Sequence, residues 1–450
     1  MISPFPLSEL ERRTSGQRFG KDVLVERISI DSRDASGALF VAIKGERLDG
    51  HDYIDDAVSS GCSAVVLEHS EEKLAVGLKV KDSVAALGHA GAINREAFNG
   101  SVVALTGSAG KTTTKNMLAS VLARRAPVTA TKANHNNEIG VPLTLLDISS
   151  NAQFAVIEMG ARHLGDIRYL GQFVQPDIAV VLNAGSAHLG EFGSYENIVK
   201  AKGELYGCLR AGGTAVMNLD DIATEQWVAE ASHRTMFSFS VNDKDADLSA
   251  RNIDCLAEGS RFDICYRGEK QAVFVPLPGR HNVSNALAAS AVAILSGMSL
   301  EEIADGLALA EPTSGRMKKL RLETGSMLFD DSYNANPVSM KAALDVLALQ
   351  AGTRIAVLGE MAELGDKAKA MHLDVAEHAK TLGIDELYCV GLFAQEMALI
   401  FGEGAMSYDS KEALAASLKH SLNGVETVLV KGSRSAGMED VVTFLSGGLH

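Results

Sequence analysis

Ser101-Val-Val-Ala-Leu-Thr-Gly-Ser-Ala-Gly-Lys-Thr-Thr-Thr-Lys115 decides how this chain reads. Residues 101–105 have the length and composition of a buried strand, and 116–125 space their apolar residues as a helix does. Between them lies a turn with two glycines and a Lys-Thr pair. Strand, glycine turn, helix is the geometry of a phosphate cradle. The glycines let backbone N–H groups face an anion, and the helix N-terminus adds the positive end of its dipole. Lys111 is placed to reach outer phosphates and Thr112 to hold Mg²⁺. The longer G-x-x-x-x-G-K-T pattern asks for glycine where this chain has Leu105, but the shorter T-G-x-x-G-K-T-T form is intact.

Working outward, residues 82–311 alternate strand and helix, which implies a largely parallel sheet covered on both faces. Strands are expected at 154–158, 178–182 and 214–217, each with a polar cluster after it. Open α/β sheets bind ligands at those C-terminal strand ends. Residues 242–278 read as an antiparallel excursion, with alternation over 261–266, and a helix follows at 283–295. Residues 1–81 hold strand-like runs at 40–43 and 64–67, a helix at 53–60 and a polar loop at 44–51. A helix over 84–98 links this segment to the glycine turn. Pro312 opens a third segment, 312–450. Its strands at 326–329, 354–358, 386–390 and 427–430 alternate with helices near 338–349, 368–382, 393–401 and 411–421. The expected class is α/β in three domains: a small N-terminal one, a central P-loop ATPase-like one and a Rossmann-like C-terminal one.

Bulk composition sets the bounds. A chain of 450 residues has room for about three domains. A net charge of −15 argues against non-specific binding to nucleic acid or anionic membrane. The five cysteines are scattered, with no C-x-x-C pair, so neither zinc site nor disulfide framework is indicated. Reduced thiols in a cytoplasmic protein fit this usage. The N-terminus has no basic start and is broken by two prolines, unlike a signal peptide. No apolar run reaches the length of a membrane span.

Several polar clusters suggest chemistry. Glu158 ends a strand beside the glycine turn, as a Mg²⁺ ligand would; an ordinary acidic loop residue is the alternative. Asn134-His-Asn-Asn-Glu-Ile-Gly-Val-Pro142 packs three amides into a turn, although Asn-rich turns are common. His188, in Asn183-Ala-Gly-Ser-Ala-His-Leu-Gly190, could ligate a metal or be incidental. Lys202 shares a helix face with Ile198, Leu205 and Tyr206, whereas Lys200 need not. It either has an inward function or snorkels to water. Asp330-Asp-Ser-Tyr-Asn-Ala-Asn-Pro337 is dense in Asp and Asn. Arg316 sits at the junction of the second and third segments, where it could reach a phosphate across a cleft. Lys431-Gly-Ser-Arg434 reads as an anion-binding turn.

Together these stretches resemble the Mur ligases. The resemblance is carried by 106–115, Thr131–Pro142, Glu158-Met-Gly160, 183–190, Ala201-Lys-Gly-Glu204, Gly279-Arg-His-Asn-Val-Ser-Asn-Ala286 and Gly315-Arg-Met317, and runs from about residue 29 to about 440. Ile30-Asp-Ser-Arg33 with 37–51 is similar to the family's uridine-binding domain. Ser-Ala in the glycine turn, the 330–337 cluster and Gly359-Glu-Met-Ala-Glu-Leu-Gly365 resemble the member that adds D-alanyl-D-alanine to UDP-N-acetylmuramoyl-tripeptide. The resemblance implies an ATP-dependent, ADP-forming ligase of peptidoglycan synthesis. Thr106, Gly107, Ser108, Ala109, Gly110, Lys111, Thr112, Thr113, Asn282, Asn285, Arg316 and Asp331 would bind ATP. Lys111, Glu158, His188 and Lys202 would be catalytic. Thr112, Glu158, His188 and Lys202, the last as a carbamate, would hold two Mg²⁺ ions. Ser32, Arg33, Lys44, Arg47, Asn136, Asn137, Tyr333, Asn334 and Asn336 would bind substrate. A monomer is expected, with no nucleic-acid partner. The rival readings are the preceding ligase, which adds the third peptide residue, a folate-polyglutamate-type ligase, and a nucleotide-binding module without catalysis.

Overall fold

Val102, Val103, Ala104 and Leu105 are fully buried in the strand Ser101–Thr106, as a run apolar on both faces requires. In the computed structural model, which describes residues 1–69, 74–185, 189–242 and 245–447, this strand lies inside a nine-stranded sheet, and all counts refer to those residues. Phe154–Glu158 and Ile178–Val181 flank it in parallel. Val128–Ala130 closes one edge, while Thr214–Asn218 and Thr235–Ser240 continue the parallel run on the other side. Alternate side chains enter different cores, as the period of a strand dictates. Val103, Leu105, Val156 and Val180 pack with the helices Lys111–Leu122 and Arg280–Leu295. Val102, Ala104, Ala155 and Ile157 pack on the opposite face with the helices Asp166–Val174 and Tyr195–Gly207.

The segment expected as an antiparallel excursion stays within this sheet. Leu248–Cys255 pairs in parallel with Thr235–Ser240, and Ser260–Tyr266 and Glu269–Val275 then add antiparallel. Phe262 and Ile264 point into the core and Arg261 outward, which is the alternation seen in the sequence.

The C-terminal sheet has six strands. Met327–Asp331, Glu426–Lys431, Thr353–Leu358, Glu386–Val390 and Ala405–Tyr408 are parallel, and Lys318–Arg321 is antiparallel at one edge. The two edge strands Lys318–Arg321 and Ala405–Tyr408 were not expected. They are short and half exposed, so neither carries a buried apolar run. The N-terminal sheet has five short strands, with Leu39–Val41 and Ala64–Leu67 parallel at its centre. The helix Ser83–Glu96 joins it to the central sheet. Ala86, Leu87 and Ala90 pack in the N-terminal core and Ala92 in the central one. No hydrophobic cluster among the described residues combines buried side chains from before and after Pro312.

Candidate active site

The helix after the glycine turn begins at Lys111, five residues before its apolar spacing becomes visible at 116. Its N-terminus therefore sits at the lysine itself. Gly110 takes the N-cap position with φ of +81°, a conformation that favours glycine. A Cβ there would also lie 2.4 Å from Asn285 Oδ1, so the position excludes a side chain twice over. Lys111 Nζ donates to Gly107 O at 2.7 Å, curling over its own loop. Burial pushes the Lys111 ammonium below its ordinary pKa; Glu158 opposes that shift and Arg316 adds to it. The Thr106 hydroxyl donates to Met159 O at 2.7 Å and is committed to the neighbouring strand end.

A second segment clamps this loop. Asn183 Oδ1 accepts from Ala109 N at 2.9 Å, and its Nδ2 donates to Ala109 O at 3.1 Å. Ser108 N donates to Asn183 O and Ser108 Oγ to Gly185 O. Asp221 in turn accepts from Ala184 N at 2.9 Å. Burial raises the Asp221 carboxyl, and its backbone donors work against that.

Beneath the loop lies a buried carboxylate. Glu158 is 1% exposed. Its Oε1 accepts from Thr112 Oγ1 at 3.3 Å and from Asn136 Nδ2 at 2.8 Å. Its Oε2 is buried without a hydrogen-bond partner, and Lys115 Nζ stands 3.8 Å away. A buried carboxylate oxygen with no donor fits a metal, because an unsatisfied charge is costly. No group of three His, Cys, Asp or Glu among the described residues could hold a metal alone. One carboxylate and one hydroxyl suit Mg²⁺, which keeps waters and takes substrate phosphate oxygens as ligands. His188 lies outside the described residues. Asn137 accepts from Gly140 N at 2.9 Å in the turn that enters the helix Gly140–Leu146.

Lys202 is 2% exposed, whereas Lys200 on the same helix faces solvent. Lys202 Nζ lies 5.6 Å from the Phe192 ring centroid. Burial, with Lys111 as a second cationic influence, pushes its pKa down to about 7 against the pull of Asp166 and Glu204. The loss of solvation thus favours the uncharged amine, the nucleophilic form.

The C-terminal sheet closes the site. A cavity of about 380 Å³ is lined by Ser108–Lys111 on one side, Asn282 and Asn285 on another, and Arg316, Asp331, Asn334 and Asn336 on a third. Asn282 and Asn285 bond each other at 3.2 Å directly beside Gly110. Asp331 pairs with the buried Lys431 at 2.6 Å. Burial raises the Asp331 carboxyl against the pull of Lys431 and Arg316. The expected anion-binding turn is thus partly internal: Lys431 neutralises Asp331, and Arg434 is the exposed cation of the pair. Arg316 stacks over Tyr333 with its guanidinium carbon 4.6 Å from the ring centroid. Asn336 and Ser339 form a capping box for the helix Pro337–Ala348.

The N-terminal residues stand apart. Arg33 is exposed and paired to Asp31 at 2.7 Å, Ser32 is buried, and Lys44 and Arg47 lie in a loop closed by a Lys44–Asp49 bridge. None of them lines the cleft cavity. Sequence reasoning gave no role to Lys115, Asn183 and Asp221. Lys115 carried a usable signal, four residues after Lys111 and therefore on the same helix face. Asn183 opened a cluster already singled out.

This architecture is that of a known class. The Mur ligase family's catalytic domain matches residues 24–102, the Mur ligase middle domain 105–293 and the Mur ligase glutamate ligase domain 315–434. The chain belongs to the Mur ligase family. It is 40% identical over 442 residues, 98% of each chain, to the UDP-N-acetylmuramoyl-tripeptide–D-alanyl-D-alanine ligase of Escherichia coli K12. MurF from Acinetobacter baumannii superposes with a TM-score of 0.93 at 36% identity, covering 99% of both chains. MurF from Thermotoga maritima, in complex with ADP, gives 0.84 at 28% identity, covering 94% of this chain and 97% of that one.

Proposed function

We propose that this chain ligates D-alanyl-D-alanine to UDP-N-acetylmuramoyl-tripeptide with hydrolysis of ATP to ADP and phosphate, as part of peptidoglycan synthesis. The likeness to ligases of that name over nearly the whole chain supports the substrates. The observation that carries the chemistry is the single cavity shared by the glycine turn, Arg316 and Asp331.

The tripeptide carboxylate attacks the γ-phosphorus of ATP, and the bond to the β-phosphate oxygen breaks, releasing ADP. The dipeptide amine then attacks the acyl carbon. A C–N bond forms, phosphate leaves and the amine loses a proton. Phosphoryl transfer of this kind needs positioning and charge neutralisation more than covalent help. Lys111 and the loop N–H groups neutralise the transferring phosphoryl group. Thr112 and Glu158 would hold Mg²⁺, which would supply further neutralisation. Lys202, uncharged in part, takes up CO₂ as a carbamate with loss of a proton; this places an anion within the influence of the Lys111 cation. Asn282 and Asn285 face the nucleotide base, and Ser32, Arg33, Lys44 and Arg47 the uridine end of the precursor.

The domains divide at 1–81, 82–311 and 312–450, with the third closing on the second to exclude water from the acyl phosphate. No described helix is long and apolar enough to cross a membrane, and we assign the protein to the cytoplasm as a monomer. Incubation with the tripeptide precursor, ATP and each candidate amine tests the reading through ADP release and product mass. ADP release with D-alanyl-D-alanine supports it; release only with a single amino acid would favour the preceding ligase.

A further inference from the structure

Ala184 is held by two side chains from outside the glycine turn. Its N–H donates to Asp221 Oδ2 at 2.9 Å, and its carbonyl accepts from the Tyr195 hydroxyl at 3.2 Å. Its two neighbours grip the glycine turn. Asn183 closes both side-chain hydrogen bonds to Ala109, and its carbonyl takes Ser108 N at 3.2 Å. Gly185 O takes Ser108 Oγ at 3.3 Å. Asn183–Gly185 is therefore a strap, with the phosphate loop as one set of partners and Asp221 and Tyr195 as the other.

Both anchors are themselves tied down. Asp221 follows the strand Thr214–Asn218, and its Oδ1 accepts from Ala223 N at 2.9 Å, so both carboxylate oxygens are engaged. The Thr224 hydroxyl closes the same turn, 2.6 Å from Asn218 O and from Asp221 O. The helix Thr224–Glu230 then buries Trp227, whose indole donates to Val199 O at 3.0 Å. Val199 belongs to the helix Tyr195–Gly207, which begins with Tyr195 and carries Lys202. Burial, with Asp221 and Glu196 nearby, raises the Tyr195 phenol and keeps it a donor. One backbone unit thus ties the loop that ends in Lys111 to the helix that bears Lys202.

We propose that Asp221 and Tyr195 are positioning residues for the phosphate loop, acting through Ala184, and that the same strap fixes the loop against the Lys202 helix. The proposal rests on the ATP-dependent reading above and adds the residues that preorganise its nucleotide site. Ala109 N and O are both taken by Asn183, so the loop is shaped from outside itself before a nucleotide arrives. Preorganised donors cost no rearrangement when charge develops on the phosphoryl group. Asp221 also lines the cleft cavity. Its oxygens are committed to Ala184 N and Ala223 N, and a carboxylate is repelled by a polyphosphate, so its influence on the nucleotide runs through the strap.

The test is a double-mutant cycle on the full-length enzyme, read as the Kd for ATP with Mg²⁺ by calorimetry. Asp221→Ala should weaken ATP about tenfold, the range for a hydrogen bond to a charged group. In the Asn183→Ala background the same change should add no more than about twofold, because the path to the loop is already cut. Asp221→Asn should recover part of the loss, since its amide oxygen can still accept Ala184 N. Tyr195→Phe keeps the ring and loses only the hydroxyl. It should weaken ATP about 2- to 10-fold and lower kcat even at saturating ATP, because saturation does not restore the tie to the Lys202 helix. It carries the same cycle with Asn183→Ala if Asp221→Ala does not fold. Wild-type ATP affinity in Asp221→Ala would overturn the proposal. So would an undiminished loss in the Asn183→Ala background, which would mean direct contact with the nucleotide. A wild-type kcat in Tyr195→Phe at saturating ATP would overturn the tie to the Lys202 helix. A wild-type enzyme that binds no ATP would instead overturn the ATP-dependent reading.

Discussion

The two walls of the cleft use charge differently. On the central wall, Lys111 curls over the glycine turn and Glu158 keeps one oxygen without a donor. On the C-terminal wall, Asp331 and Lys431 neutralise each other at 2.6 Å, leaving arginines stacked on Tyr333. The first wall leaves a buried carboxylate oxygen without a donor, which fits the proposed Mg²⁺. The second neutralises its buried Asp331–Lys431 pair internally and presents arginines to the cleft. The difference fits the proposed chemistry on the central sheet, with the C-terminal sheet supplying the far wall of the cavity.

Breaking the internal pair should have the largest effect. Lys431→Met leaves Asp331 buried and unpaired, at a cost of about 3–5 kcal/mol in stability. A thermal or urea melt checks this, and the double variant with Asp331→Leu should recover most of the loss. An unchanged melting temperature would remove the contrast between the walls.

On the central wall the effect should fall on turnover. Lys111→Ala should slow ADP formation about 10²- to 10³-fold while leaving the melting temperature near that of wild type. Lys202→Ala should lose about a hundredfold, and added formate or acetate should restore part of it. Because burial holds the Lys202 pKa near about 7, the uncharged amine that takes up CO₂ grows as pH rises through that value. Stimulation by bicarbonate should be weak at about pH 6 and clear at about pH 8. A flat response would count against the carbamate.

The clamp should matter less. Asn183→Ala removes two side-chain hydrogen bonds to Ala109 and should cost about 1–3 kcal/mol, seen as a higher KM for ATP. Smallest of all should be the change in shape. The two walls meet through single polar contacts such as Asn116 Nδ2 to Thr313 Oγ1 at 2.7 Å and Gly190 N to Glu363 O at 2.9 Å. A modest fall in radius of gyration when ATP and precursor bind together, measured by small-angle scattering, would fit hinge closure near Pro312. No change would mean the hinge is rigid.

The parallel strands around the glycine turn were legible because residues buried on both faces leave continuous apolar runs such as 101–105 and 178–182. Edge strands such as Lys318–Arg321 were not, since a half-exposed strand carries no such run. The start of the helix at Lys111 was hidden because its first turn is built from Lys and Thr. Within the site, the glycine turn and Glu158 could be found from local order alone. The Asp331–Lys431 pair could not: its partners are 100 residues apart and meet only because their strands are adjacent in the sheet. Asn336 and Asn137 have structural partners that local order did not show. Their residue type suggests ligand contact; Asn336 also caps the helix Pro337–Ala348, and Asn137 also accepts from Gly140 N in the turn that enters the helix Gly140–Leu146.

The central claim is that one cavity, formed by both walls, joins a tripeptide carboxylate to a dipeptide amine at the expense of ATP. Mass spectrometry of the nucleotide precursor after incubation with ATP and D-alanyl-D-alanine tests it most directly. The account predicts a product heavier by one dipeptide residue pair, formed in step with ADP, and absent with Lys111→Ala. A precursor of unchanged mass, with ATP intact or hydrolysed without product, would contradict it.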